Sequence, residues 1–506
     1  MTPAALAAFL DRHRLPVLVL FSVGFFATVI PRASAKPFWH DEIYTVLLAR
    51  LPTVQAHWSA LRDGVDFAPP LNGLATRAVR TLAGSGPIAA RIPAMVGFWV
   101  MLLAIYAMVR RRGNATLALA AAFIPFFTAA YRYSYEARPY GLMMAFAALA
   151  WLAWTEAARG TRRTLFLPLL GIALAAGLWN HYFAALVFAP IAAGELVRSI
   201  HARRIDVSVW LVTAGAIAAV APLYPLLRGA AEQTRHFWVR PSIADIASTY
   251  GFLFDTLANG FAGGTMVVIA AVVLYSVVRP ARRDPDLAPI PLHEVAAAAV
   301  AVLLPVVGVI LALALTGAFV PRYAMPAVAA VSVALPLAIG RIARRAPAAD
   351  LVLLAALVAA YVASAFAPIA RPGDPIAARP LLVRSLEMPE RTVAAGQLWF
   401  LQLWYYAPPS LKPRVVYLAD PDLALRYTGS DIVDRNYVAL ARWTPVPVER
   451  FDRFVDRTGA FRVYSAGAGW LLDCLRDQGA IVETVGSEAG GQLYQVTTPA
   501  ARAIPR

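Results

Sequence analysis

Residues 15–42 read LPVLVLFSVGFFATVIPRASAKPFWHDE, from Leu15 to Glu42. The run to Ile30 carries no charge and is long enough to begin a bilayer crossing, for which about 20 apolar residues suffice. It ends abruptly in Lys36-Pro37-Phe38-Trp39-His40-Asp41-Glu42. Two adjacent carboxylates at the mouth of a transmembrane helix are costly near hydrocarbon and therefore point to function. Charge precedes this first apolar stretch, as in a signal peptide. Residues 15–30 lack an obvious small-x-small cleavage site, so we read an uncleaved first helix.

The remainder of the chain extends the pattern. Of 506 residues 59% are hydrophobic and only 15% are charged, with a mean hydropathy of +0.60. Soluble domains carry about 25% charged residues, so the composition is that of a polytopic α-helical membrane protein. The net charge of +16 does not mark a nucleic-acid binder, because the basic residues lie in short clusters between apolar spans. The single cysteine, Cys474, excludes an intrachain disulfide and any Cys-rich metal site.

About eleven spans are predicted, centred near Phe25, Leu103, Phe123, Ala147, Ala173, Val187, Ala218, Ala271, Leu311, Val331 and Val358. Arg12 and Arg14 precede the first. Clusters then follow every even-numbered span: Arg110–Arg112, Arg159 with Arg162 and Arg163, Arg198 with Arg203 and Arg204, Arg279 with Arg282 and Arg283, and Arg341 with Arg344 and Arg345. The positive-inside rule places these ends in the cytoplasm. The odd exits therefore face outward, and with them the Asp41 loop, the Glu136–Tyr140 turn, His181 and Arg322. Four polar sites chosen for their chemistry thus fall on one side.

After about Pro368 the character changes. Pro368, Pro372, Pro375 and Pro380 punctuate a linker, and residues 370–506 hold 16 basic and 14 acidic residues, a near balance. Strand-like runs at Thr392–Ala395, Val415–Leu418, Phe461–Ser465, Ile481–Val485 and Leu493–Val496 alternate with helical stretches near Leu398–Tyr406 and Trp470–Gln478. The expected organisation is a transmembrane domain over 1–369 and an extracytoplasmic soluble α/β domain over 370–506. Gly467 and Gly469 follow a strand but lack the rest of a dinucleotide fingerprint, so they read as a turn.

The long first outer loop, about residues 34–90, contains amphipathic stretches near Ile43–Leu51 and Leu71–Leu82, which predict short interfacial helices. Asp41 and Glu42 start the first. They can serve as a helix N-cap, or as a base for an incoming hydroxyl, and a cap would hold such a base rigid. In Tyr131-Arg132-Tyr133-Ser134-Tyr135-Glu136-Ala137-Arg138-Pro139-Tyr140 the arginines run against the outer-loop charge rule. Either they pair internally with Glu136 or they bind an anion such as phosphate, which a guanidinium matches bidentately. His181-Tyr182 lies where two spans meet, as a structural or a functional residue. Arg322-Tyr323 repeats the Arg-Tyr pairing, and Arg322 is read either as snorkelling to headgroups or as sharing an anion site with Arg138. Asp63, Asp66, Arg77, Arg80 and Arg91 cannot be ranked by spacing.

The carboxylate pair, then Asp66-Phe67-Ala68-Pro69-Pro70-Leu71, Arg91-Ile92-Pro93, Glu136-Ala-Arg138-Pro-Tyr140, His181-Tyr182 and Arg322-Tyr323 before Pro326, resemble the membrane glycosyltransferases of the GT-C fold. The closest branch looks like the family-39 type, related to protein O-mannosyltransferases and the lipid A aminoarabinose transferase. The resemblance covers roughly residues 35–345. It implies a polyprenyl-phosphate-linked sugar donor, an inverting transfer to an acceptor hydroxyl on lipid, glycan or protein, and a multi-pass enzyme of the inner membrane acting at its outer face. Asp41 maps onto the family's base and Glu42 stands beside it. Arg138 and Arg322 become candidates for the leaving phosphate, with Glu136, Tyr140, His181, Tyr323 and Asp66 as further substrate-binding residues. No cofactor is demanded, although a divalent cation is compatible with the family, and no metal-ligand set is visible. Two rival readings remain: a transporter or flippase for a lipid-linked or anionic substrate, which would show internal repeats and midplane charges, and a non-catalytic scaffold.

Overall fold

The computed structural model describes residues 2–258, 290–342, 348–366, 369, 374–389, 391–467, 469–488 and 490–499. The span expected near Ala271, with Arg279, Arg282 and Arg283, and the linker prolines Pro368 and Pro372 lie outside the described residues. The chain divides into two compact units.

The first unit comprises residues 1–33, 81–224 and 239–369 and is the membrane-embedded part of an integral membrane protein. Six helices among the described residues are long and apolar enough to cross a bilayer: Arg14–Ala35, Pro87–Arg110, Tyr140–Ala158, Arg163–Asn180, Tyr182–Ala202 and Val207–Glu232. A pair bent by 58°, Leu292–Val302 and Leu304–Thr316, makes a seventh when taken as one span. Shorter apolar helices occupy Ala115–Phe127, Pro326–Arg341 and Ala349–Ala365, around three more of the expected centres.

Helix Pro87–Arg110 is nearly featureless in its apolar distribution and is buried along most of its length, as expected for a central element. It crosses Tyr140–Ala158 at two glycines. A Cβ on Gly97 would lie 2.5 Å from the carbonyl carbon of Gly141, and one on Gly141 would lie 2.3 Å from the Ala94 carbonyl oxygen. Small residues at such a crossing let the backbones meet, which is how helices gain contact without a hydrophobic drive in lipid. Around the first span Phe21 meets Phe123, Phe98 meets Phe126 and Phe123 meets Tyr361 edge-on, while Phe25 stacks on Phe98 and Phe126 tilts against Tyr361. On the outside, Leu15, Leu20, Ile172, Leu211 and Val352 are at least 64% exposed. Apolar exposure on that scale suits lipid as the solvent.

The second unit comprises residues 34–80, 225–238 and 370–506, so the first outer loop packs with the chain's last third. The loop forms helices His40–Ala49, Val54–Arg62 and Pro70–Ala83. Gln402 Nε2 donates to the Phe38 carbonyl (2.8 Å) and Tyr406 OH accepts from Phe38 N–H (2.6 Å). A six-stranded sheet follows, with β1 Thr392–Ala395, β2 Val415–Ala419, β3 Val448–Arg450, β4 Ala460–Ser465, β5 Ile481–Glu488 and β6 Gly491–Thr497. Its order is β3-β2-β1-β4-β6-β5. The strands β3, β2, β1 and β4 run parallel, and β6 pairs antiparallel with both β4 and β5. Every residue of β2 is buried, as a parallel strand covered on both faces requires. Helices Phe400–Tyr406, Pro421–Thr428, Ile432–Leu440 and Leu471–Asp477 flank the sheet. Gly467 turns the chain after β4 with φ +133°, a conformation that favours glycine.

Candidate active site

Helix His40–Ala49 begins after extended Trp39. Of the capping role expected of the pair, the reach back to the backbone falls to Glu42. Glu42, in the third helical position, accepts from the Trp39 N–H (3.4 Å) and stands 3.8 Å from Lys36 Nζ, with no surface exposed. That is the reach-back half of a capping box. Asp41 sits one position earlier and is half-buried, so the two carboxylates have different surroundings despite being neighbours.

One turn on from Asp41 stands Tyr44, a residue the sequence reading did not select. It is buried, stacks on Tyr437 (6.1 Å, 17° between planes), and its hydroxyl has no hydrogen-bond partner among the described residues. Burial first, then the neighbouring Tyr437, Asp66, Asp41 and Asp434, pushes its pKa well above the usual tyrosine value, so it remains a donor. Asp66 is thereby placed around Tyr44 with Asp41, and its carboxylate accepts from the Ala68 N–H (3.3 Å). Tyr437 OH lies 3.3 Å from His40 Nδ1 and donates to the Gln397 carbonyl (2.6 Å). Behind it, buried Asp434 accepts from Gln397 Nε2, Tyr417 OH, Trp470 Nε1 and the Asp420 N–H. Spacing of three along a helix was the signal that could have found Tyr44. Nothing in the sequence links Tyr437, 397 residues from His40, to this helix.

Three residues left unranked by spacing have structural work. Asp63 accepts from Trp443 Nε1 (3.1 Å), Arg77 closes the end of its helix neighbour by donating to the Leu51 and Pro52 carbonyls, and fully buried Arg91 donates to the Ala33 carbonyl.

The arginine constellation belongs to the first unit. Glu136 is buried, and one of its partners is Arg132, at 3.6 Å and mostly exposed. The internal-pair reading is therefore correct for Arg132. Arg138 lies with Arg322 in the electrostatic surroundings of His181. Arg322 Nε donates to Tyr140 OH (2.7 Å), and its guanidinium lies 5.9 Å from the Tyr140 ring and 6.0 Å from that of Tyr323. The hydrogen bond spans 182 positions of sequence and ties Arg322 to the start of helix Tyr140–Ala158. His181 stands at the break between two spans, with its ring 5.5 Å from Tyr140 and 5.0 Å from Tyr323.

Three causes, burial first and then Arg138 and Arg322, push the His181 pKa down to about 3. The imidazole is neutral, and because its Nδ1 accepts from the Phe183 N–H (3.2 Å), the tautomer carries its proton on Nε2. Two guanidiniums, a neutral N–H donor and two phenols drawn from three distant segments make a cationic, donor-rich cluster. Among the described residues no group of three His, Cys, Asp or Glu side chains gathers to hold a metal ion.

Comparison with known proteins bears out the resemblance. Residues 68–227 match the family model of dolichyl-phosphate-mannose-protein mannosyltransferases. The structure of ArnT from Cupriavidus metallidurans in its apo state superposes with a TM-score of 0.57, at 11% identity over 98% of this chain and 100% of that one. The same protein bound to undecaprenyl phosphate gives 0.57 at 13% identity, over 97% and 99%. No curated protein matches in sequence. The chain shares the fold of these two structures.

Proposed function

We propose that this protein transfers a sugar from a polyprenyl-phosphate-linked donor to an acceptor hydroxyl at the outer face of the membrane, with inversion. The observation that carries the reading is the convergence of Arg138, Arg322, His181, Tyr140 and Tyr323 on one place. Such a cluster suits a phosphate that gains charge as it leaves. The related structure that holds undecaprenyl phosphate supports the same class of donor.

In this reading Asp41 takes the acceptor proton as the acceptor oxygen bonds to the anomeric carbon. The bond from that carbon to the phosphate oxygen breaks through an oxocarbenium-like state, as in glycoside hydrolysis. The electron pair goes to the phosphate, where Arg138 and Arg322 receive the charge and His181 Nε2–H adds a neutral donor. Phosphate is a good leaving group, so a strong general acid is not needed. Glu42, committed to Trp39 and Lys36, fixes the helix start and thereby the Asp41 carboxylate. Tyr140 orients the Arg322 guanidinium. The domain over residues 370–506, grouped with the first outer loop, completes the extracytoplasmic part.

One observation favours a second reading. The bent pair Leu292–Val302 and Leu304–Thr316 is the kind of interrupted helix that carriers use, so the chain as a transporter or flippase is the alternative. Purified protein given a polyprenyl-phosphate sugar and an acceptor hydroxyl separates the two, because an enzyme yields a glycosidic product and free polyprenyl phosphate whereas a carrier yields neither. A deletion strain should accumulate the donor. For sidedness, an alkaline phosphatase fusion after the C-terminal domain should be active and one at Arg111 inactive; the reverse pattern would defeat the outer-face assignment.

A further inference from the structure

The turn at Gly467 and Gly469 belongs to a place in the sheet that the proposed transfer residues leave unused. Strands β1 and β4 are parallel neighbours. The chain leaves β1 through helix Phe400–Tyr406 towards β2, and leaves β4 through helix Leu471–Asp477 towards β5 at the far edge. The winding therefore reverses between them. In open α/β sheets the crevice outside the carboxyl ends of the strands at such a point is where ligands bind. Here it lies between Gly396, with φ +129°, and Gly467, with φ +133°. The two turns are close: a Cβ on Gly396 would lie 3.4 Å from the Ala466 nitrogen, and one on Gly469 would lie 3.9 Å from the Gly396 nitrogen.

Three positions after Gly396 stands Trp399, which is 40% exposed. The Arg379 guanidinium lies 4.9 Å from the centre of its ring. Arg379 is itself buried and donates to the Pro375 carbonyl. One face of the indole is thus held by a fixed cation, and the exposed surface is its other face and edge. A Cβ on Gly467 would lie 3.8 Å from the Trp399 Cδ1 and Nε1, so glycine at this position keeps the edge that bears the indole N–H clear. The floor of the crevice is fixed as well. The buried Asp434 carboxylate accepts from Gln397 Nε2 after β1, from the Asp420 N–H after β2 and from Trp470 Nε1 after β4. A large ring that is exposed yet already held loses little freedom when a ligand stacks on it.

We infer that this crevice is a carbohydrate-binding site in which a pyranose ring stacks on Trp399. The C–H face of a pyranose is apolar and slightly positive, and it meets the negative face of an aromatic ring. The sugar's hydroxyls accept from the indole N–H, which can only donate. An indole that merely anchored the domain at a membrane surface would need no cleared edge and no glycine turn beside it. The crevice is also joined to the helix that carries Asp41. Tyr437 OH donates to the Gln397 carbonyl (2.6 Å) and lies 3.3 Å from His40 Nδ1, next to Asp41. A sugar held at Trp399 is then part of the acceptor, which makes the acceptor a glycan or glycolipid. That role, though not the binding itself, rests on the transfer reading.

The test uses full-length protein in phosphatidylcholine nanodiscs, which avoids detergents with sugar headgroups. Cellotetraose, mannotetraose and chitotetraose are the probes, and binding is read by saturation-transfer NMR. At least one should bind. Trp399→Ala should weaken that binding at least about tenfold, as loss of a tryptophan anchor commonly does. Trp399→Phe keeps a ring without the N–H and should fall between the two. Gly469→Leu, whose Cβ would meet nothing among the described residues closer than 3.9 Å, should fill the crevice and weaken binding about tenfold at an unchanged melting temperature. Failure of all three probes to bind the wild type would overturn the proposal. Full binding in a folded Trp399→Ala or Gly469→Leu protein would overturn it too, and would leave Trp399 as an interfacial anchor. Probe binding that depends on Trp399, in a protein that transfers no sugar, would uphold the site and defeat the transfer reading alone.

Discussion

Helix His40–Ala49 and the arginine constellation around His181 are built by opposite means. The first is local: two carboxylates and a tyrosine lie within one turn of each other, and one member of the pair, Glu42, anchors the helix that presents the other. The second is assembled from Glu136–Tyr140, His181 and Arg322–Tyr323, which only the packing of the bundle brings together. A local site is sensitive to single side chains and tolerant of shifts elsewhere. An assembled one depends on helix packing, including the Gly97–Gly141 crossing that seats the start of helix Tyr140–Ala158. Mutations can therefore separate the two.

The largest effect is expected at Asp41. Asp41→Asn should lower sugar transfer by about 10² to 10⁴, the range for loss of a general base, with expression and melting unchanged, since Asp41 is not the residue that caps its helix. Glu42→Gln should show the inverse balance: a smaller loss of transfer, but a lower melting temperature, because a buried carboxylate paired with Lys36 and Trp39 is weakened. Equal transfer losses in both, at equal stability, would mean that the pair acts as one base.

Arg138→Ala and Arg322→Ala should each cost about 10² in transfer, as for removal of one donor to a developing oxyanion. Lysine replacements should recover only part of this, and less at Arg322, where lysine cannot reproduce the planar fork that holds Tyr140. Wild-type kinetics in both alanine variants would return these residues to the role of membrane anchors. Gly141→Leu should damage the assembled cluster while leaving the local one intact, read as loss of donor binding without change at Asp41.

A smaller effect, on stability and not on transfer, is expected at Asp434. Burial outweighs its four hydrogen bonds and pushes its pKa up to about 6 from 3.8. The folded state then binds more protons at Asp434 than the unfolded state between these values, so the contribution of this group to stability is greatest below about pH 4 and is lost as pH rises towards 6. A shift of this size corresponds to about 3 kcal/mol. Amide protection in β2, corrected for intrinsic exchange, should decline across that window in the wild type and stay level in Asp434→Asn. Protection that rises with pH would show that the hydrogen bonds prevail over burial.

What could be read in advance follows the same division between local and assembled. Apolar length located apolar helices at the expected centres among the described residues, because hydrophobicity acts residue by residue. Strands β1, β2, β4, β5 and β6 were visible as runs of Val, Tyr and Leu. Strand β3 was not, since Val448-Glu449-Arg450 is short, polar and preceded by Pro447, and it exists only because β2 offers a parallel partner. Helix Pro421–Thr428 had its signals in place, with Asp420 capping, Pro421 in the first turn and Gly429 at φ +73° beyond the end. The pairings of Arg322 with Tyr140 and of His40 with Tyr437 left no trace in spacing, because tertiary contact alone creates them.

The smallest effect separates tolerance from use at Tyr44. Its hydroxyl is buried and has no hydrogen-bond partner among the described residues, and leaving such a group unsatisfied costs about 1–3 kcal/mol. Tyr44→Phe removes the hydroxyl, keeps the stack on Tyr437, and should raise stability by about 1 kcal/mol. Retention of so unfavourable a group beside Asp41 and Asp66 is best explained by a donor kept for the acceptor, as orphaned polar groups at functional sites often are. Transfer should accordingly fall by up to about tenfold, equal to about 1.4 kcal/mol of lost transition-state stabilisation. A more stable variant with full activity would make the hydroxyl a tolerated defect, and a less stable variant would mean that it already has a partner in the folded protein.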